Sequence, residues 1–192
     1  MIHPQISRIS HNNARGRRSI HLDSALPGFL EWLGNHAGID PGDATMTDLA
    51  DRARGALHAQ PFSMLLGTEL MHVGTDELTL RLPVRDELKQ QHGFVHGGVI
   101  SYLADNALTF AGALALGPRV VTGEFKINYL RPALKGTLMA RARVVHAGRY
   151  QATCQCSVYV LENGDERLIA LAQGTVSRMA ESGPPDEKDQ TT

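Results

Sequence analysis

Hydrophobic residues alternate with polar ones through much of the chain after Gly67, and this period of two predicts β-strands. Leu78, Leu80 and Leu82 alternate with polar neighbours until Pro83, which ends the first clear strand. Four further alternating stretches follow along the chain, over about residues 121–129, 138–144, 152–160 and 167–178. Short turns between successive strands favour antiparallel pairing.

Two local signals refine this strand pattern. Asn163-Gly164 separates the last two stretches and is typical of a tight hairpin turn. In the stretch that contains Gly123, strict alternation predicts one apolar and one polar face. The apolar face holds Val121, Phe125, Ile127 and Tyr129, and the polar face holds Thr122, Glu124, Lys126 and Asn128.

One long apolar segment, residues 99–117, lies between the first strand and the other four. It follows His96-Gly97-Gly98 and is nearly long enough to span a bilayer. Asp105 and Asn106 lie near its middle, however, and a central Asp costs about 2.5–3.5 kcal/mol on insertion. We therefore interpret the segment as a buried helix and expect no membrane insertion. The predicted fold is α+β, a curved antiparallel sheet wrapped around one long central helix.

The chain divides into four predicted parts. Residues 1–45 form an N-terminal extension, partly flexible, with four arginines and no acid before Asp23. An Arg-rich, acid-poor start is also typical of transit peptides, but Pro4 and Asn12-Asn13 interrupt an amphipathic helix. Residues 46–60 form a helical lead-in with Thr47 as its N-cap, and residues 61–179 form the main domain. The tail, residues 180–192, carries Pro and acids and is expected to be disordered.

Composition narrows the function classes. Lys and Arg number 19 against 20 Asp and Glu, and a net charge of −1 argues against nucleic acid as the main partner. Cys154 and Cys156 are too few for a disulfide framework, and their spacing predicts two buried thiols on one strand face. The nine histidines show no metal-ligand spacing with a carboxylate. We expect a cytoplasmic protein without a metal site.

The candidate chemistry lies on the apolar helix. Ser101, Asp105 and Thr109 are spaced four residues apart and form one polar stripe. The stripe either faces water or lines a cleft in which Asp105 acts as a base or nucleophile. At the start of the helix, Gly97 and Gly98 either make a tight strand-to-helix entry or present unobstructed N–H groups to an oxyanion.

These residues resemble those of a known family, the PaaI-like acyl-CoA thioesterases of the hot-dog fold. The segment QQHGFVHGGVISYLADNA, residues 90–107, resembles the family's signature. The segments VTGEFKINYLRP, residues 121–132, and VHAGR, residues 145–149, resemble the strand after the helix and a later turn. The resemblance covers about residues 61–179 and implies a homodimer with two active sites at its interface. Such dimers often pair into a homotetramer.

The resemblance also implies residue roles. Asp105 matches the catalytic carboxylate, and Gly97 matches the backbone N–H that polarises the thioester carbonyl. Thr122 matches a Ser or Thr that assists the water or the carboxylate, usually from the neighbouring protomer. Gln90 stands where many members carry Asn, and His96 is expected to shape the loop rather than act as a base.

The implied reaction is hydrolysis of an acyl-CoA thioester to free CoA and a carboxylic acid. Asp105 either activates water or attacks the thioester directly to give an anhydride, and neither route needs a cofactor, since coenzyme A is part of the substrate. The residues expected to bind substrate are Gly98 and Asn106 near the carboxylate, with Arg131, Arg149 and Lys126 as candidates for the CoA phosphates.

Two other functions remain open at this point. The domain could bind acyl-CoA as a non-catalytic sensor or regulator, although a sensor has no need of the Asp105 carboxylate. It could also be a hot-dog dehydratase or hydratase, but such enzymes usually pair a His with an acid in other motifs.

Overall fold

The computed structural model describes residues 45–180. The predicted N-terminal extension and C-terminal tail therefore lie almost wholly outside the described residues. The elements follow in the order α1 (Met46–His58), α2 (Pro61–Leu66), β1 (Glu69–Val73), β2 (Glu77–Pro83), a 3₁₀ turn (Asp86–Leu88), α3 (Gly97–Leu116), β3 (Val120–Tyr129), β4 (Thr137–Ala147), β5 (Gln151–Glu162) and β6 (Asp165–Arg178).

The strands form one antiparallel sheet in the order β1-β2-β4-β5-β6-β3, and the sheet packs around α3. The predicted α+β architecture is confirmed. Asn163 and Gly164 make the tight β5–β6 turn, with positive φ angles of 54° and 91°. Although β3 and β4 are consecutive along the chain, they are not neighbours, because β3 pairs with β6. This leaves β3 as a ten-residue edge strand.

The central helix α3 lies closely on the sheet because its buried side chains include several of the smallest residues. Ala104, Ala107, Ala111 and Gly112 are all buried, and an added Cβ at Gly112 would lie 2.5 Å from the Cβ of Val176 in β6. By length and hydropathy α3 could cross a membrane, but 56% of its apolar window is buried inside the domain. It is the core helix of the fold, as its central Asp predicts.

Strand β3 departs from simple alternation at Gly123. Its pairing with β6 shifts register between Thr122 and Glu124, which is the mark of a β-bulge. Thr122 is therefore half-buried on the same face as Phe125, whereas Val121 is exposed. The prediction that Val121 shares a face with Phe125, and Thr122 with Glu124, is wrong because the extra residue reverses the alternation on one side of the bulge.

Helix α1 begins two residues earlier than its predicted N-cap implies. Thr45, not Thr47, is the N-cap, since its hydroxyl accepts from the backbone N–H of Asp48 while the Asp48 carboxylate accepts from the backbone N–H of Thr45. The helix buries Leu49 and Leu57 and packs on β1 and α2. The short helix α2 was not anticipated from the sequence.

We predict that Gly112→Ala lowers the free energy of unfolding by about 1–2 kcal/mol, because the overpacking against Val176 exceeds the helix propensity that Ala gains over Gly. Urea denaturation measures the change. Gly55→Ala is the matched control, since its Cβ enters open space on α1 and should stabilise by up to about 1 kcal/mol. Because the added Cβ at Gly112 lies against Val176, Val176→Ala should cost less stability in the Gly112→Ala background than in the Gly55→Ala background. A Gly112→Ala variant as stable as the parent contradicts this packing.

We also predict that the two cysteines are inert in the folded protein. Burial raises the pKa of Cys154 to about 11 and that of Cys156 to about 12, and both thiols are buried on the inner face of β5. Ellman's reagent at about pH 8 should react only as fast as the protein opens, but at once in guanidinium. Because unfolding restores the ordinary pKa of 9.0, stability should fall as the pH rises above that value. Rapid labelling of the native protein contradicts the prediction.

Candidate active site

The bulge in β3 and the polar stripe of α3 bring three side chains together. The hydroxyl of Thr122 donates to Asp105 Oδ1 over 2.8 Å. The hydroxyl of Thr109 lies 2.6 Å from that of Thr122 and 2.9 Å from the backbone oxygen of Asp105. Each hydroxyl carries one proton. That of Thr122 points to the carboxylate, and that of Thr109 is divided between the backbone oxygen of Asp105 and the oxygen of Thr122. The stripe therefore faces β3, and Asp105 is half-buried against it.

This arrangement fixes the carboxylate and leaves part of it available. Thr122 and Asp105 belong to the same protomer, although the family resemblance implied a threonine from the neighbouring one. Within residues 45–180, Oδ2 of Asp105 has no hydrogen bond, so its lone pairs can accept a proton from water or attack an electrophile.

The N-terminus of α3 presents one backbone donor. His96 is the N-cap, and its Nδ1 accepts from the backbone N–H of Gly98 over 2.9 Å. The prediction that Gly98 presents an unobstructed N–H is therefore wrong, because the neighbouring imidazole occupies it. The N–H of Gly97 has no acceptor in the described part of the chain and lies at the positive end of α3. His96 therefore caps the turn at the start of α3.

Tyr129 packs against Gly97, and the sequence analysis did not identify it as a site residue. Its hydroxyl donates to the backbone oxygen of Gly97 over 3.1 Å, and its ring would lie 3.6 Å from a Cβ at Gly97. Tyr129 is exposed at the end of the edge strand, where alternation assigns it only a face. The ring therefore forms one wall beside the free N–H.

The donor and the carboxylate are far apart within one protomer. Gly97 and Asp105 are separated by eight residues of α3, which is about 12 Å along the helix axis. A reacting carbonyl must lie about 3 Å from both an oxyanion donor and the attacking group. The two groups of a single protomer therefore cannot act on the same carbonyl.

Gln90 and Asn106 have different surroundings. Gln90 lies in the loop before α3, where its backbone makes a turn with Gly93 and pairs with Phe94, and its half-buried side chain has no hydrogen bond to residues 45–180. The amide of Asn106 donates to Ser63 and to Tyr102, so it ties α3 to α2. The structure does not bring Asn106, predicted to bind substrate, into the Asp105 cluster.

The three basic residues predicted for the CoA phosphates do not converge within the protomer. Arg131 follows β3 at the Gly97 end and donates to the backbone oxygen of Leu168. Arg149 lies in the β4–β5 turn, over the ring of Tyr150. Lys126 is exposed in the middle of β3. The structure adds no metal-ligand set: no group of three His, Cys, Asp or Glu side chains within residues 45–180 could hold an ion.

Comparison with known proteins places this geometry in a family. The family model of the thioesterase superfamily matches residues 92–166. A putative esterase from Haemophilus influenzae is 35% identical over 114 residues, which cover 58% of this chain and 80% of that protein. The acyl-coenzyme A thioesterase PaaI of Escherichia coli is 30% identical over 117 residues, covering 59% of this chain and 79% of that protein.

A solved structure agrees with these sequence matches. The crystal structure of a thioesterase family protein from Silicibacter pomeroyi superposes with a TM-score of 0.63 at 32% identity, covering 67% of this chain and 96% of that one. The matched residues include α3 with its N-terminal glycines and the bulged strand β3. The chain belongs to the thioesterase superfamily and has its hot-dog fold.

Proposed function

We propose that this protein hydrolyses acyl-CoA thioesters to free CoA and a carboxylic acid. The observation that supports this most is the hydrogen bond from Thr122 to the half-buried Asp105 carboxylate. It orients one oxygen and leaves the other for chemistry. The same helix begins at Gly97, whose N–H has no acceptor within residues 45–180. This pair of groups is what acyl transfer requires, a positioned carboxylate and an oxyanion donor.

The reaction balances with water as the sole co-reactant. The Gly97 N–H polarises the thioester carbonyl and stabilises the oxyanion, aided by the positive end of α3. In one route Asp105 takes a proton from the attacking water, and the tetrahedral intermediate expels the CoA thiolate, which receives that proton. In the other, Asp105 itself displaces the thiolate to form an acyl–aspartyl anhydride, and water then cleaves it. The hydroxyl of the water goes to the acyl group, its other proton goes to the thiolate, and the Asp105 carboxylate is restored. Neither route calls on a metal or an organic cofactor.

The active site we propose is shared between two protomers. About 12 Å of α3 separates the Gly97 N–H from Asp105 within one chain. Pairing of two chains along the edge strand β3 could bring the Gly97 of one chain to the Asp105 of the other. If two copies pair antiparallel along β3, the end of one β3 at Tyr129 lies beside the beginning of the other. Gly97, which Tyr129 contacts, then approaches the Asp105 of the partner subunit.

This homodimer explains the exposed residues of β3. Val121 and Tyr129 are large, apolar or aromatic, and more than half exposed in the protomer. They lie on the strand that has no partner along its outer edge within the described sheet. An edge strand of this kind is a template for pairing with another chain. A homotetramer made of two such dimers would keep the same edge contact, and its mass in solution distinguishes it from the homodimer.

Asp105→Asn should lower kcat for acyl-CoA hydrolysis by about 10²–10⁴, the usual contribution of a general base or more, because the amide neither takes a proton nor attacks. Thiol release from a panel of acyl-CoAs measures the effect. Asp51→Asn, an exposed carboxylate on α1, is the control and should retain activity. Full activity in Asp105→Asn overturns the assignment, and binding of acyl-CoA without any thiol release in the parent protein favours the sensor.

The shared site predicts complementation between two inactive variants. Gly97→Pro removes the N–H at the first position of α3, where helices tolerate Pro. The preceding residue, His96, already has the extended backbone that a following Pro requires. Gly97→Ala keeps the N–H and serves as the matched control. We expect Gly97→Pro to lose about 10²–10³ in kcat, as for the loss of an oxyanion donor.

Mixed dimers then test where the two groups meet. Co-expressed Gly97→Pro and Asp105→Asn chains, isolated through two different tags, should regain up to about half of the parental activity, since one of two sites pairs an intact Gly97 with an intact Asp105. Homodimers of either variant should stay inactive. Mixed dimers that remain as inactive as the homodimers contradict the shared site.

A further inference from the structure

A cavity of about 370 Å³ lies between the lead-in helix α1 and the C-terminal half of α3. Its lining is predominantly apolar, and small side chains from both helices give it its width. The residues that matter here are Leu49 and Ala53 of α1, Thr109 and Ala113 of α3, and Pro118 and Val120 at the beginning of β3. A concave apolar site of this size is typical of small-molecule binding.

The cavity begins beside the proposed active site. Thr109, which lines it, is one hydrogen bond from Thr122 and two from the Asp105 carboxylate. Ala113 lies one further turn along α3 from Thr109, so the cavity extends from the carboxylate toward the C-terminus of the helix. The Gly97 donor lies in the opposite direction, at the start of the helix.

Helix α1 closes the cavity from the side that the sheet leaves open. The sheet has β1 at one edge and β3 at the other. Helix α1 packs on β1 but shares the lining of the cavity with Val120 of β3. It therefore spans the space between the two edges, over the part of α3 that follows Thr109.

We propose that this cavity binds the acyl group of the substrate, and that α1 sets the size of acyl group the protein accepts. The inference rests on the proposed thioester hydrolysis. The occupant is an apolar acyl group of medium length, because most of the lining is carbon surface. Its polar residues are Arg52, Gln60 and Thr109, and Thr109 marks the end nearest the carboxylate. Ala53 and Ala113 are the specificity-determining residues, since any larger side chain there fills the cavity from opposite walls.

The expected effect follows from the burial of methylene groups. Each buried methylene is worth about fourfold in binding. Leucine in place of Ala53 or Ala113 adds three carbon atoms to the lining, which exclude a similar part of an eight-carbon chain. We therefore expect Ala53→Leu and Ala113→Leu each to lower kcat/KM for octanoyl-CoA at least tenfold more than kcat/KM for acetyl-CoA.

The control is Gly55→Leu, which places the same side chain on α1 where nothing lies within 4 Å. It should leave the acyl-length profile unchanged. Circular dichroism melting verifies that each variant is folded. Because Ala53→Leu lies on α1 and Ala113→Leu on α3, the test still holds if one of the two variants does not fold. Equal losses for acetyl-CoA and octanoyl-CoA, or no loss for either, overturn the inference while the hydrolysis itself stands.

Binding of non-hydrolysable analogues separates the two proposals. We compare S-(2-oxononyl)-CoA with S-acetonyl-CoA by calorimetry, since these thioethers carry the long and the short chain without a cleavable thioester. The parent protein should bind the long analogue at least tenfold more tightly, and Ala53→Leu should abolish that difference. If these affinities are observed but the parent protein releases no thiol from acyl-CoAs, the proposed hydrolysis is overturned and acyl binding in the cavity is supported. Equal affinity for both analogues in the parent protein overturns the cavity.

Discussion

The close contact between α3 and the sheet is the constraint on which the rest of the structure depends. It exists because the buried face of the helix carries the small residues Ala104, Ala107, Ala111 and Gly112. A larger side chain would move the helix outward and lengthen the 2.8 Å hydrogen bond between Asp105 and Thr122. Packing that stabilises the core thus also sets the position of the carboxylate.

Strand β3 connects this packing to the chemistry. Its bulge at Gly123 turns Thr122 inward to Asp105, and its last residue, Tyr129, contacts Gly97. Among residues 45–180, no strand pairs with its outer edge. A regular strand would keep the same edge, but with Phe125 on the inner face its alternation would direct Thr122 outward and away from Asp105. The irregular residue is therefore what allows one strand to serve both the site and the proposed dimer.

Periodicity predicted most elements of the fold, because burial on one face leaves a repeating pattern in the sequence. It assigned the inner faces of β2, β4 and β5 correctly, and it located α3 between its glycines. It failed at Gly123, where one extra residue changes the face without changing the composition. Of the site, Asp105 and Thr109 follow from helical spacing, and Thr122 followed from the family resemblance. The His96 contact that occupies Gly98, the approach of Tyr129 and the α1–α3 cavity depend on tertiary contacts with no local signature.

The pairing of β3 with β6 has a consequence for the synthesis of the chain. The ribosome completes α3 and β3 well before β6, the only neighbour of β3 in the described sheet, so the core cannot close until about residue 178 has emerged. Throughout that interval a 20-residue apolar helix lacks the surface that buries it, and it resembles a membrane span to any factor that recognises nascent chains. Asp105 at its centre then disfavours insertion, so the residue proposed for catalysis also helps to keep the nascent helix out of the bilayer.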